Sequence, residues 1–298
     1  SKFVHYRPTI AIINNIEFDH ADIFESTDAI IRSFRHMVRL VPRSGVALVN
    51  ADDAHALAAC DNAPCPVERV GLAPDAHWRM KDITEEGNVT SWSIDRHGEP
   101  YGRFSLPMPG EHNIRNATMA IAATAHAGLS VEEQQAALPS FMPPKRRLEE
   151  IATWRGCTVI DDFAHHPTAI AATMKALRQR YPKGAIHAVF EPRSNTTTRN
   201  FFQHELATCF RGASTVLLGP VNRPERYRVE ERLDTDRLVH DLQADGIDAH
   251  ALPSDRATDP RWGADLMEIL ATRVREGDVI AILSNGDVGG LRALLSAR

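Results

Sequence analysis

The sequence predicts an α/β chain of two domains, each organised around a mainly parallel sheet. Three observations predict it. Short apolar runs alternate with helix-patterned stretches from Cys157 to Ser296, the rhythm of strand–helix–strand units. Pro139, Pro143 and Pro144 interrupt the chain near its middle, where proline stops a helix and stiffens a connection. The 298 residues are 43% hydrophobic and 24% charged, so each half holds enough apolar mass for its own core.

The first half opens with Thr9–Ile13, a short apolar run read as a buried strand. Ser26–Val41 is helix-patterned, with Ile30, Phe34, Met37, Val38 and Val41 on one face. Gly45–Asn50 reads as a second apolar strand. Pro66–Leu72, His77–Ile83 and Val89–Ile94 are weaker strand candidates, and Phe104–Met108 closes that group. Asn113–Gly128 is an alanine-rich helix stopped by glycine. Ser130 and Glu133 then have capping-box spacing. The proline cluster puts the domain boundary at 144/145, giving domains 1–144 and 145–298. In the second half the strands are Cys157–Asp161, Ala185–Phe190, Thr215–Leu218, Asp248–Leu252 and Val279–Leu283. The helices are Pro167–Tyr181, Arg199–Arg211, Asp236–Ala244, Trp262–Arg275 and Gly290–Ser296.

A net charge of −5 gives no general attraction to nucleic acid or anionic membrane, so neither partner is expected. No run of 18 apolar residues suggests a membrane span, and no signal peptide is evident. Cys60, Cys65, Cys157 and Cys209 have no CxxC or zinc-like spacing, which fits a reducing, cytoplasmic setting. The chain starts at Ser1 and enters a strand almost at once, which reads as a start in mid-fold.

Ligands of open parallel sheets sit beyond the carboxyl ends of the strands, and polar clusters lie there. Asn14-Asn15-Ile16-Glu17-Phe18-Asp19-His20-Ala21-Asp22 follows the first strand; its carboxylates and imidazole suit a divalent cation, or form a solvated turn. Gly110-Glu111-His112-Asn113-Ile114-Arg115-Asn116 opens the alanine-rich helix. Asn113 and Asn116 share a face and could read the edge of a base; capping accounts for Asn113 alone. Lys145-Arg146-Arg147-Leu148-Glu149 is either a solvated basic run or a phosphate contact. Asp161-Asp162-Phe163-Ala164-His165-His166-Pro167 joins a strand to a helix that Pro167 can start; it could hold a ribose or order a metal, or be a plain helix N-terminus. Two further loops, Glu191–Arg199 and Ser284–Gly290, could cradle an anionic substrate.

Taken in order, Asn15–His20, Val49–Asp53, Gly110–Asn116, Arg146–Leu148 and Asp161–Pro167 resemble the Mur ligase family of peptidoglycan synthesis, over essentially the whole chain. Asn14–Asp22, Asp162–Pro167 and Glu191–Thr196 look most like the subgroup that joins UDP-N-acetylmuramate to a recycled murein tripeptide. A sister enzyme of the family adds a single L-alanine instead. The resemblance implies the rear part of a Mur-type central ATPase domain, followed by a Rossmann-like C-terminal domain with a mainly parallel sheet. It implies an ATP- and Mg²⁺-dependent ligase forming an amide bond through an acyl phosphate.

By the same resemblance, His20 matches a Mg²⁺ ligand with a catalytic role, and Asn113 and Asn116 match residues that hold adenine. Arg147 matches a linker arginine that reaches the ATP phosphates, with the proline-rich linker as hinge. Asp162 matches an acid that contacts the nucleotide, with His165 and His166 beside it. Arg193, Ser194, Asn195 and Thr196, with Ser284, Asn285 and Gly286, would face the incoming peptide.

The sequence departs from the family pattern in two ways. It has no G-x-x-x-x-G-K-[ST] string, and the acidic Mg²⁺ ligand expected ahead of Ser1 is not in it. The expectation is that these 298 residues do not ligate by themselves. Where some relatives carry a modified lysine, this chain has Arg32, Arg35 and Arg39, so that feature is not expected. Two other readings stand beside the ligase: a metal-dependent phosphoesterase using the Asp/His strings, and a non-catalytic nucleotide-binding module.

Overall fold

A computed structural model describes residues 2–297, except for the side chains of Lys2 and Val4. The chain divides into two compact units, Ser1–Met142 and Pro143–Arg298.

The first unit holds a six-stranded sheet in sequential order: β1 (Ile10–Ile13), β2 (Val46–Asn50), β3 (Val67–Gly71), β4 (Trp78–Glu86), β5 (Val89–Arg96) and β6 (Glu99–Leu106). β1 to β4 are parallel, and β4 to β6 form an antiparallel meander. β2 shows why the parallel part forms. All five of its residues are buried. Val46 and Leu48 enter the core under α3 (Glu111–His126), while Ala47 and Val49 enter the core under α1 (Thr27–Val38) and α2 (Ala54–Ala59). A strand that is apolar on both faces is stable only with helices on both sides. α3 buries Ile114, Ala117, Thr118, Ile121 and Ala122 against Trp78, Met80, Trp92 and Phe104. Its Thr118 hydroxyl accepts from Trp92 Nε1 at 3.0 Å and donates to the Ile114 carbonyl at 2.8 Å.

α1 is capped by Ser26, whose side chain accepts from the Ala29 amide. It ends at Val38 rather than Val41; the residue before Pro42 is pushed out of the helical region. α2 escapes the sequence pattern because six residues give no helical periodicity, yet Asp53 caps it at 2.6 Å. β6 starts at Glu99, five residues before the apolar part that marks it in the sequence. The Ser130–Glu133 capping box is present at the start of α4 (Val131–Ala137).

The second unit is a doubly wound sheet in the order β11-β10-β9-β12-β8-β7. Its strands are β7 (Glu149–Trp154), β8 (Cys157–Asp162), β9 (Ile186–Phe190), β10 (Thr215–Leu218), β11 (Asp248–Ala251) and β12 (Val279–Leu283). All neighbours are parallel except β7 and β8. The intervening helices are α5 (Pro167–Arg180), α6 (Gln203–Cys209), α7 (Thr235–Ala244), α8 (Gly263–Ala271) and α9 (Leu291–Ser296). The stretch Arg199–Arg211 is thus two elements, a 3-10 turn at Asn200–Phe202 and then α6. β7 is absent from the sequence reading. Its Glu149-Glu150 start looks like part of the charged linker, and as an edge strand it has no fully buried residue. It pairs with β8 through the two-residue turn Arg155-Gly156, both at positive φ (49° and 76°), the geometry that suits a right-twisted hairpin. The mixed α/β architecture with mainly parallel sheets is as the sequence predicts.

Cys60, Cys65, Cys157 and Cys209 are free and buried. Burial pushes the Cys60 thiol up to about 12, helped by Cys65 and Asp61, so it is a packing group at neutral pH. No helix among the described residues is long and apolar enough to cross a membrane.

Candidate functional site

In the first unit, polar residues gather where β1 and β2 end and α3 begins. The loop after β1 is held from two sides. Asn14 Nδ2 donates to Asn116 Oδ1 at 3.0 Å, joining it to the first turns of α3. The Ile16 amide donates to Asp53 Oδ2 at 3.3 Å, and His55 Nδ1 contacts the Ile16 carbonyl at 3.0 Å, joining it to α2. The N-cap of α3 is Gly110 at φ 98°, a conformation open to glycine. Asn113 is therefore not the cap. Its Nδ2 turns back to the Pro109 carbonyl at 2.6 Å, three residues before the exposed Asn116. Asp52 Oδ2 accepts from Arg115 Nη2 at 3.1 Å and from the Leu72 amide at 3.2 Å, and Arg115 also holds Glu111 at 2.9 Å.

His20 sits in the same loop with φ 53°, exposed, its amide donating to Asp19 Oδ1 at 2.7 Å. No group of three His, Cys, Asp or Glu side chains placed to hold an ion occurs among the described residues. Mg²⁺ asks for near-octahedral oxygen donors, usually one or two carboxylates with water and phosphate. The donors in place around His20 do not complete such a shell by themselves.

In the second unit, β8, β12 and β9 lie side by side, and Leu283 pairs with both Asp162 and Phe190. This register brings Asp161, Asp162, Ser284 and Glu191 to one sheet edge. Glu191 is buried and its charge is fully engaged. Its Oε2 accepts from Ser284 Oγ at 2.5 Å and from the Val288 amide at 3.4 Å, and its Oε1 from Arg193 Nη1 at 3.3 Å. Ser284 Oγ in turn accepts from the Gly286 amide at 2.7 Å. A Cβ on Gly286 would strike the side chains of Glu191 and Arg193, so any larger residue there must displace them. Val288 is fully buried at φ 60°, a conformation that β-branched residues rarely take.

Asp161 is buried between two guanidiniums, with Arg292 Nε at 2.8 Å and Arg146 Nε at 3.3 Å from its Oδ2. These are ionic contacts, since neither Nε has an aligned acceptor. Burial pushes its carboxyl above the usual carboxylate range, and the charges of Arg292 and Arg146 only partly offset this. Asp162 is also buried, and the protein takes up both its oxygens. Oδ2 accepts from the Leu148 amide at 2.7 Å; Oδ1 accepts from the Ala164 amide at 2.8 Å and Thr173 Oγ1 at 3.3 Å.

Arg147 is exposed, its guanidinium 5.8 Å from the Phe163 ring centre; Arg146 stands 5.1 Å from the same ring. His165 Nδ1 meets the Phe163 carbonyl at 2.9 Å. His166 caps α5 and packs edge-on against Phe202 at 4.6 Å. Ser194 shapes the turn after β9, its hydroxyl 2.8 Å from Thr197 Oγ1, with Asn195 exposed and Thr196 buried. The structure thus gathers Arg193, Ser284 and Gly286 around Glu191. Asn285 lies in the same turn, its Oδ1 buried without a hydrogen-bond partner among the described residues.

Sequence reasoning missed Glu191, Asp161, Arg146 and Arg292 as organising groups. The signal available was position: Asp161 and Glu191 are charged residues at or just past the ends of largely apolar strands, where a charge needs partners.

Residues 1–124 match the Mur ligase middle domain, and residues 146–286 match the Mur ligase, glutamate ligase domain. The chain is 37% identical over 300 residues to the UDP-N-acetylmuramate–L-alanyl-γ-D-glutamyl-meso-2,6-diaminoheptandioate ligase of Escherichia coli, covering 99% of this chain and 60% of that protein. It is 33% identical over 287 residues to the UDP-N-acetylmuramate–L-alanine ligase of Salinibacter ruber, covering 96% and 58%. The crystal structure of a murein peptide ligase from Psychrobacter arcticus superposes with a TM-score of 0.69 at 31% identity, covering 99% of this chain and 58% of that one. The chain therefore spans about 60% of the length of the curated relatives it matches. With two successive domains of one enzyme family matched in order and the same fold in a solved relative, the chain belongs to the Mur ligase family.

Proposed function

We propose that the protein carrying this chain is an ATP-dependent ligase that joins UDP-N-acetylmuramate to a murein tripeptide through an amide bond. Residues 1–144 would be the rear portion of its ATP-binding domain, and residues 145–298 its amine-substrate domain. The observation that carries the reading is the Glu191–Arg193–Ser284–Gly286 assembly. A half-exposed Arg193, 42% accessible at its side chain, is steadied by a buried carboxylate beside the turn that starts at the buried Ser284. A cation fixed in this way suits an acceptor that carries carboxylates. The 37% identity to a tripeptide-adding ligase, against 33% to an L-alanine-adding one, supports the same choice.

A carboxylate is a poor electrophile, and ATP supplies the phosphoryl group that makes it an acyl phosphate, from which the incoming amine displaces phosphate. The chain's own contribution is positioning and charge. Asn113 and Asn116 hold adenine, with Asn14 fixing the Asn116 amide through the bond that joins them. His20 would be one donor to a Mg²⁺ that neutralises the phosphates. Arg147 offers them an exposed guanidinium, and Asp162, which also holds the Leu148 amide, contacts the nucleotide with His165 and His166 beside it. Arg193 to Thr196 and Ser284 to Gly286 receive the peptide.

The test uses the complete protein with ATP and UDP-N-acetylmuramate, comparing murein tripeptide with L-alanine as acceptor by ADP release. The tripeptide should lead by about a hundredfold or more in kcat/KM. A preference for L-alanine would assign the sister reaction, and turnover with neither acceptor would end the ligase reading.

A further inference from the structure

Asp161 has no obvious duty in the fold. A buried carboxylate whose pKa is pushed up by burial costs stability when ionised, and its Oδ1 has no hydrogen-bond partner among the described residues. The groups around it share one peculiarity. Arg146 reaches Asp161 Oδ2 with Nε while its Nη2 donates to the carbonyls of Ser284 and, at 3.1 Å, Gly286. Arg292, from α9, reaches the same Oδ2 with Nε and donates to the Gly286 carbonyl with Nη1. Each guanidinium therefore spans from one carboxylate oxygen to the same short turn. Arg146 is itself locked in place: its φ is 62°, its amide donates to Glu149 Oε2 at 2.7 Å, and its carbonyl accepts from the Phe163 amide at 2.8 Å.

We propose that Asp161 is a positioning residue for the acceptor site: through Arg146 and Arg292 it clamps the carbonyls of Ser284 and Gly286 and so fixes the turn that meets the peptide. This rests on the proposed function for the identity of the peptide, but not for the clamp itself. Glu191 holds the turn from its hydroxyl and amide side, and Asp161 holds it from its carbonyl side. Without the negative charge the two guanidiniums repel each other and lose their common anchor, while the strands beneath keep their ladders.

The test is Asp161→Asn in the complete protein. KM for the tripeptide should rise about tenfold, the effect of losing one charge-assisted contact. kcat and the KM values for ATP and UDP-N-acetylmuramate should stay within about twofold, even where the loss of the anchor lowers the melting temperature. Amide exchange at residues 284–290 should quicken about tenfold while β8, β9 and β12 stay protected. Arg292→Gln should reproduce the pattern, and the double variant should be no worse than either single one. A uniform loss of activity with a lowered melting temperature would make Asp161 merely structural and overturn the proposal, as would unchanged exchange in the turn. If the protein does not use the tripeptide, the proposed function fails, and the exchange measurement still decides the clamp.

Discussion

The Ser284 hydroxyl donates a 2.5 Å hydrogen bond to the buried Glu191 carboxylate and accepts one from the Gly286 amide at 2.7 Å. One oxygen atom thereby links the end of β12 to the end of β9 and sets the turn that follows β12. Ser284→Ala leaves a buried carboxylate oxygen and an amide short of partners. It should lower unfolding free energy by about 1–3 kcal/mol in urea titrations and raise tripeptide KM with little change in ATP KM.

Asn116 is tied to Asn14 and faces the end of β1. If it reads adenine, Asn116→Ala should raise KM for ATP about tenfold and leave KM for the acceptor unchanged. Asn14→Ala, which only frees the Asn116 amide to rotate, should give a smaller rise. Equal effects on both substrates in steady-state assays would contradict the role.

Asp278 lies at the opposite end of the second sheet and is pressed from two sides. Burial raises its pKa, but the Arg275 amide at 2.8 Å, His187 Nε2 at 3.2 Å and the Ala185 amide at 2.9 Å outweigh it, so the carboxyl titrates below its ordinary value. A depressed folded pKa contributes stability above the unfolded value near about 4, and that stability is lost as pH falls through the folded value. The wild-type melting temperature should therefore fall more steeply on acidification below about pH 5 than that of Asp278→Asn, which should be less stable at pH 7. Parallel profiles for the two proteins would remove the linkage.

In the first unit, Thr118→Val should strand the Trp92 indole N–H in the core at a cost of about 1–3 kcal/mol, whereas Thr118→Ser should be nearly neutral. Denaturant midpoints for the two variants separate loss of the hydrogen bond from loss of a methyl group.

Much of the architecture is legible in the sequence because its strands are apolar on both faces. β2, β9, β10 and β12 announce themselves as largely apolar runs, and β12 and β10 are located to the residue. What escapes is what depends on partners. β7 is a strand because β8 offers it an edge, and α2 is a helix because Asp53 closes its first turn. The candidate site divides in the same way. Arg193 and Ser284 stand out as polar residues after strands, with Gly286 in the same loop as Ser284, whereas Asp161 and Arg292 acquire meaning only when β8 and α9 come together. Asn113 shows the limit from the other side: three-residue spacing predicts a shared face with Asn116, but not that its amide would turn back to Pro109.

The strand order of the second unit sets the order of its assembly. β12 is the last strand along the chain, yet it lies between β8 and β9 in the middle of the sheet. During synthesis on the ribosome, those two strands stay unjoined until Val279–Leu283 has emerged, with open apolar edges exposed to other nascent chains. The unit should therefore fold late and as a whole, and a stop codon ahead of Val279 should give a product that chaperones retain rather than a shorter soluble domain.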